Sequence, residues 1–299
     1  MNLSTPTSPV HEAIEDPAVQ TRVAQAVTAL FVPGDRPDRY AKAASSGADV
    51  VIIDLEDAVA PEAKADALRA ALEALGATGE GGIRALVRVN PAGTQTHEDE
   101  ATALLEMAEQ DHHGLLGLMV PKAEGPQGLE RLGHRLTRRG LALVPLVESA
   151  SGVMHALEVA QSPGVTRLAF GAVDYALDID ADGNDWVLDY PRSVIVAASR
   201  AAGVAAPLDS PSTLIRDTDA VAESARRARG FGFGGKLCIH PHQVEIVDEA
   251  FRPAERELQW AHSVVGVGTG AAQVDGQMID RPVIERARRI LARAKETMA

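Results

Sequence analysis

The chain has 299 residues, with 29 Lys and Arg against 42 Asp and Glu, giving a formal net charge of −13. That acidity excludes the basic stripe of a duplex-binding protein, while a few local Arg and Lys residues can still receive a phosphate-bearing small ligand. The single cysteine, Cys238, excludes an intramolecular disulfide and a thiolate-cluster metal site.

The length fits two domains of about 150 residues or one α/β barrel, and it can bury a core without disulfides or structural metals. The longest apolar runs, such as Val50–Ile53 and Leu141–Val147, fall far short of the ~18 residues of a membrane span. Residues 1–9 lack a basic segment followed by an apolar one, so no signal peptide is expected and a cytoplasmic protein is the default.

In chain order, residues 1–26 read as an extension, with a polar helix expected from about His11 to Val27. Short β-favouring apolar runs then end at Val32, Asp54, Val89, Val120, Val147, Gly171, Leu208 and Ile239, spaced 22 to 37 residues apart. Ala-rich segments with helical spacing lie between them: Pro61–Leu75, Glu98–Gln110, Gly128–Arg138, Ser151–Ala160, Arg192–Ala202 and Asp219–Arg229. Strands alternating with helices at this spacing predict βαβ units and a parallel sheet. Eight such units predict a (β/α)8 TIM barrel, an α/β fold, over residues 27–243. Gly230–Gly235 precedes a strand instead of opening a helix, so it reads as a turn and not as a phosphate cradle. Residues 244–299 carry no further strand signal. Helices are expected there over Pro253–Val264 and Arg281–Thr297, with Gly266–Gly270 as a hinge between them.

Barrel active sites lie at the C-terminal strand ends, and each run here delivers a polar group to that rim. Arg36 follows the first; Asp54, Glu56 and Asp57 the second; Arg88 and Asn90 the third. Lys122, Glu148, Asp174, Asp209 and His240 follow the remaining five. Glu148 and Asp174 on neighbouring strand ends suit a hard divalent cation such as Mg²⁺, with positions left open for a chelating substrate. Read singly, each is equally a solvated acid or a helix cap. The guanidinium of Arg88 matches a carboxylate bidentately, whether a substrate's or that of a strand-2 acid. Arg36, Arg39 and Lys42 form a basic patch that reads as a phosphate clamp or a solvated helix face. The acidic cluster Asp54, Glu56 and Asp57 needs cations to offset it, or else it holds protons. His240 and Cys238 read as structural, and His97, His112, His113 and His155 have no zinc-like spacing.

Taken together, Leu30–Arg36, Ile53–Val59, Val87–Asn90, Val120–Lys122, Pro145–Glu148, Phe170–Asp174 and Gly235–Pro241 resemble the citrate lyase β-subunit-like family of the HpcH/HpaI aldolase group. The resemblance runs from about residue 28 to 295. It implies a carbon–carbon lyase in barrel form, trimeric or hexameric, using Mg²⁺ and a coenzyme A (CoA) thioester. It also implies Glu148 and Asp174 as metal ligands and Arg88 as the carboxylate anchor. Phe31, Arg36 and Lys42 would contact the CoA ligand, and Gly171 and Ala172 the substrate. Residues 276–280 resemble a lid motif whose Asp280 is the acid/base, supplied by a neighbouring subunit; read by periodicity alone, Asp280 is a helix N-cap. Alternatives are a CoA-independent aldolase on 4-hydroxy-2-oxo acids, a malyl-CoA thioesterase using the same metal site with water admitted, and, as a different class, the β subunit of a citrate lyase complex.

Overall fold

The computed structural model describes residues 17–77, 82–110, 112–266, 272–274 and 277–296. Eight parallel strands close into a barrel: β1 (Thr28–Pro33), β2 (Val50–Asp54), β3 (Ala85–Arg88), β4 (Leu115–Val120), β5 (Ala142–Val147), β6 (Arg167–Phe170), β7 (Ala205–Asp209) and β8 (Gly235–Cys238). Pairing of Ala29 in β1 with Leu237 in β8 closes the ring. β4 and β5 are buried at every position, as parallel strands covered on both faces require. One set of side chains, including Ile52, Leu86, Leu116, Val144 and Leu237, fills the barrel interior. The alternate set, including Val51, Ile53, Val87 and Leu143, packs outward against the helices.

The helices are α1 (Pro17–Gln25), α2 (Tyr40–Ala44), α3 (Lys64–Gly76), α4 (Gln95–Met107), α5 (Leu129–Thr137), α6 (Ala150–Met154), α7 (Ala156–Ala160), α8 (Ala172–Asp178), α9 (Asp185–Ala202), α10 (Thr218–Phe231), α11 (His242–Phe251), α12 (Glu255–Gly266) and α13 (Arg281–Glu296). Within the expected N-terminal extension, α1 begins at Pro17, and residues 1–16 lie outside the described residues. Val19 and Val23 of α1, together with Ala26, join the interior core and plug the barrel floor. Arg167, fully buried at the start of β6, donates Nη1 to the carbonyls of Val23 (3.0 Å) and Ala26 (2.7 Å). Its Nη2 reaches the Ala206 carbonyl. One guanidinium thus ties the C-terminal end of α1 to two strands, and burial lowers its affinity for the proton to a pKa of about 9.

Two expectations need correction. The single helix expected over Ser151–Ala160 is two short ones, broken at His155, whose ring Nδ1 lies 2.9 Å from the Ser151 carbonyl. The tail is not purely helical either: β9 (Ala272–Val274) pairs antiparallel with β10 (Gln277–Ile279). Three-residue strands are too short to leave a legible period. Of the expected hinge, Gly266 closes α12 and residues 267–270 lie outside the described residues.

Beyond α11, α12 and α13 pack on each other around Ala261, Val264, Ile279, Ala287 and Ile290, a small core distinct from that of the barrel. Arg286 stacks on Trp260 across that pair, 5.2 Å from the ring centroid. An Arg229–Glu257 ion pair at 2.8 Å joins α12 to α10. Among the described residues no helix is long and apolar enough to cross a membrane.

Candidate active site

The β2–β3 register sets Asp54 opposite Arg88. Arg88 grips it bidentately, Nε to Oδ1 at 2.7 Å and Nη2 to Oδ2 at 2.6 Å, while Nη1 stands 2.9 Å from Glu56 Oε2. The strand-2 pairing of this arginine is thus present: its hydrogen bonds to Asp54 occupy two of its five N–H donors, and Glu56 is held as an ion pair. The Phe31 ring lies under the guanidinium at 4.9 Å and restricts its tilt. Burial works against the Arg88 charge, but the Asp54 pair and the charges of Glu56 and Asp57 outweigh it and hold the group above its usual range. Lys64 Nζ holds the Leu55 and Glu56 carbonyls at 2.9 Å each. Asn90 Nδ2 reaches the Leu55 carbonyl at 3.0 Å, and buried Glu100 holds Asn90 in turn. Lys64 and Glu100 sit inside α3 and α4, where no strand end drew attention to them.

Glu148 follows β5 and is 3% exposed. Its Oε1 accepts the Lys122 N–H at 2.8 Å. Lys122 adopts a left-handed backbone, φ 51°, costly for a residue other than glycine, and this turn delivers its N–H to Glu148. The Lys122 ammonium stands 3.1 Å from Glu56 Oε1. Asp54, Arg88, Glu56, Lys122 and Glu148 thereby form one chain of contacts. Burial raises the Glu56 carboxyl against the pull of Arg88, with Asp57 adding to the rise. Burial also pushes Glu148 up to about 8; the Lys122 N–H opposes the shift, and the charges of Asp174 and Glu56 add to it.

Asp174 stands in the first turn of α8. Gly171, just before that helix, is required as glycine, because a Cβ there would lie 2.5 Å from Glu148 Oε2. Ala172 donates its N–H to Ser210 Oγ at 3.0 Å. Phe31, Arg88, Glu148, Gly171, Asp174 and Ser210 line one cavity of about 370 Å³ at the C-terminal strand ends.

Among the described residues no group of three or more His, Cys, Asp or Glu could hold a metal ion. The donor set is instead two carboxylates, one of them buried and destabilised by neighbouring acids. Such a pair fits Mg²⁺, which takes oxygen ligands and keeps several positions for water and substrate. A cation would also offset the burial, and with it the repulsion from Asp174 and Glu56, that raise Glu148.

The remaining expected residues lie apart. Arg36 is half-exposed and pairs with Asp38 at 2.8 Å, and Lys42 is exposed on α2. Asp280 is exposed, and its Oδ1 accepts the Val283 N–H at 3.1 Å, capping α13. It is not among the described residues that line the cavity. His240 accepts the His242 N–H in an exposed turn. Cys238 is buried, its thiol pushed up to about 12. Sequence reasoning missed Ser210, because a hydroxyl after a strand is too common to stand out.

A sequence model of the HpcH/HpaI aldolase/citrate lyase family matches residues 27–241. The chain belongs to this family. A citrate lyase subunit beta-like protein of Mycobacterium tuberculosis is 37% identical over 278 residues, covering 89% of this chain and 95% of the relative. An L-malyl-CoA/beta-methylmalyl-CoA lyase of Cereibacter sphaeroides is 31% identical, covering 89% and 93%. The solved structure of CitE from M. tuberculosis in complex with magnesium, acetoacetate and coenzyme A superposes with a TM-score of 0.78 at 34% identity, covering 91% of this chain and 99% of that one. This member of the HpcH/HpaI family is a carbon–carbon lyase on a TIM barrel.

Proposed function

We propose that this lyase reversibly cleaves a 3-hydroxyacyl-CoA of the malyl-CoA type to an acyl-CoA and a 2-oxo acid, with Mg²⁺ as its cofactor. The observation that carries the reading is one cavity lined together by the paired arginine Arg88 and by two carboxylates, Glu148 just after β5 and Asp174 in the first turn of α8. Glu148 and Asp174 would hold Mg²⁺, which supplies Lewis acidity to the 2-oxo carbonyl. Arg88 orients the acid's carboxylate through N–H donors that Asp54 does not take, and the bidentate Asp54 pair fixes the plane of the guanidinium. By the family resemblance Phe31, Arg36 and Lys42 would contact the thioester cofactor, and Gly171 and Ala172 would flank the acyl end; one solved relative holds magnesium and coenzyme A together.

In the synthetic direction Asp280 takes a proton from the thioester α-carbon. The enolate carbon then adds to the 2-oxo carbonyl, and the new alkoxide is protonated to the hydroxyl. The exposed position of Asp280 at the start of α13, beside the small core that α13 shares with α12, suits a lid that closes on the barrel of a neighbouring copy in a homotrimer or hexamer. Helix α11, expected as part of that lid, packs instead through Val244, Val247 and Phe251 into the barrel core. Purified protein with Mg²⁺, assayed against malyl-, methylmalyl-, citramalyl- and citryl-CoA, is expected to release acyl-CoA from at least one. Cleavage of a free 4-hydroxy-2-oxo acid with all four thioesters untouched would overturn the assignment.

A further inference from the structure

Helix α8 starts without a side-chain cap of its own. Its flanking residue is Gly171, and a Cβ there would stand 2.5 Å from Glu148 Oε2 and 2.7 Å from Glu148 Cβ. While Glu148 occupies its place, the position that ordinarily carries Ser, Thr, Asp or Asn is closed to all four. The first N–H of the helix is met instead from across the sheet, where Ser210 Oγ accepts the Ala172 N–H at 3.0 Å. Ser210 is buried and lines the same cavity as Asp174.

The residue before it explains why Ser210 stays in place. Asp209 ends β7, fully buried, and receives Lys236 Nζ at 2.9 Å and Arg192 Nε at 3.2 Å. Lys236 comes from β8 and Arg192 from α9, so the carboxylate is gripped from two elements. The β7–β8 register sets Asp209 opposite Lys236. A side chain fixed at both oxygens fixes its backbone too, and Pro211 limits the chain on the other side of Ser210. A seven-residue helix such as α8 has little capacity to define its own start.

We propose that Ser210 is a positioning residue for Asp174: by capping α8 from β7, its hydroxyl sets the turn on which that carboxylate stands. This inference rests on the reading of Asp174 as a magnesium ligand. It is tested on the full chain by calorimetric titration with Mg²⁺ alone, comparing the unaltered protein with Ser210→Ala, Ser210→Thr and Asp174→Asn, and with thermal unfolding run beside it. With the Ala172 N–H uncapped and the turn that carries Asp174 loosened, Ser210→Ala is expected to bind Mg²⁺ roughly tenfold more weakly, the low end of the effect of removing a group that orients a metal site. Ser210→Thr, which keeps the hydroxyl, should bind within about twofold of the unaltered protein. Binding unchanged in Ser210→Ala but abolished in Asp174→Asn overturns the role of Ser210 and leaves the metal reading standing. Equal weakening in the Ala and Thr variants also overturns it, since the hydroxyl would then be irrelevant. Binding unchanged in Asp174→Asn overturns the metal reading beneath it.

Discussion

Buried beside Lys122, Asp174 and Glu56, the Glu148 carboxyl keeps its proton to about pH 8, well above the ordinary carboxylate range. The consequence for stability has a definite sign. Between the ordinary glutamate value and about 8 the folded chain holds a proton that the unfolded chain has lost, so metal-free stability falls as pH rises through that window. A bound cation favours the carboxylate and removes the difference. Thermal unfolding of metal-free protein should therefore show a midpoint that declines from about pH 5 to about pH 8, and Mg²⁺ should flatten the decline. Glu148→Gln should remove part of the decline, and a decline as steep in that variant as in the unaltered protein would show that Glu148 does not carry it. Part of this residue's role was legible in the sequence, since an acid closing the run Leu141–Val147 has nowhere to go but the rim. Its contact with the Lys122 N–H was not, because it depends on a left-handed backbone at a residue type that seldom adopts one.

At the scale of elements, α1 shows how a segment that reads as an appendage becomes part of the barrel. Polar spacing suggested a helix outside the fold, but Val23 is 1% exposed and sits under the interior residues. Its attachment depends on Arg167, which the sequence hid inside a strand otherwise made of Leu, Ala and Phe. Charged donors to buried carbonyls are worth about 1.5–3 kcal/mol each. Replacing Arg167 with Met would leave the Val23, Ala26 and Ala206 carbonyls without that donor. Arg167→Met is therefore expected to destabilise the chain by roughly 3 kcal/mol or more and to expose the N-terminal segment to limited proteolysis before the barrel unfolds. Cleavage in α1 no faster than in the unaltered protein would mean that apolar packing alone holds it. The barrel strands themselves were legible to within about a residue at their ends, since parallel strands buried on both faces must be continuous apolar runs. The β9–β10 hairpin was not, being three residues a side with no interior pattern.

At the scale of the whole molecule, the cavity and the expected acid/base stand on separately packed units. Glu148 and Asp174 belong to the barrel, whereas Asp280 caps α13 in the small C-terminal core around Ala261 and Ile290. If a lid from one copy completes the site of another, the two roles can be separated between chains. Asp280→Asn and Glu148→Gln are each expected to be inactive alone. When they are unfolded together and reassembled in equal amounts, a site works only if its barrel comes from the first variant and its lid from the second. Random mixing in a closed ring then restores about a quarter of the unaltered activity, the product of two one-half probabilities. Were Asp280 to act in its own chain, every site in every mixture would carry one of the two lesions and no activity would return. The result does not depend on which acyl-CoA is the substrate, so it tests the assembly of the site separately from the identity of its ligand.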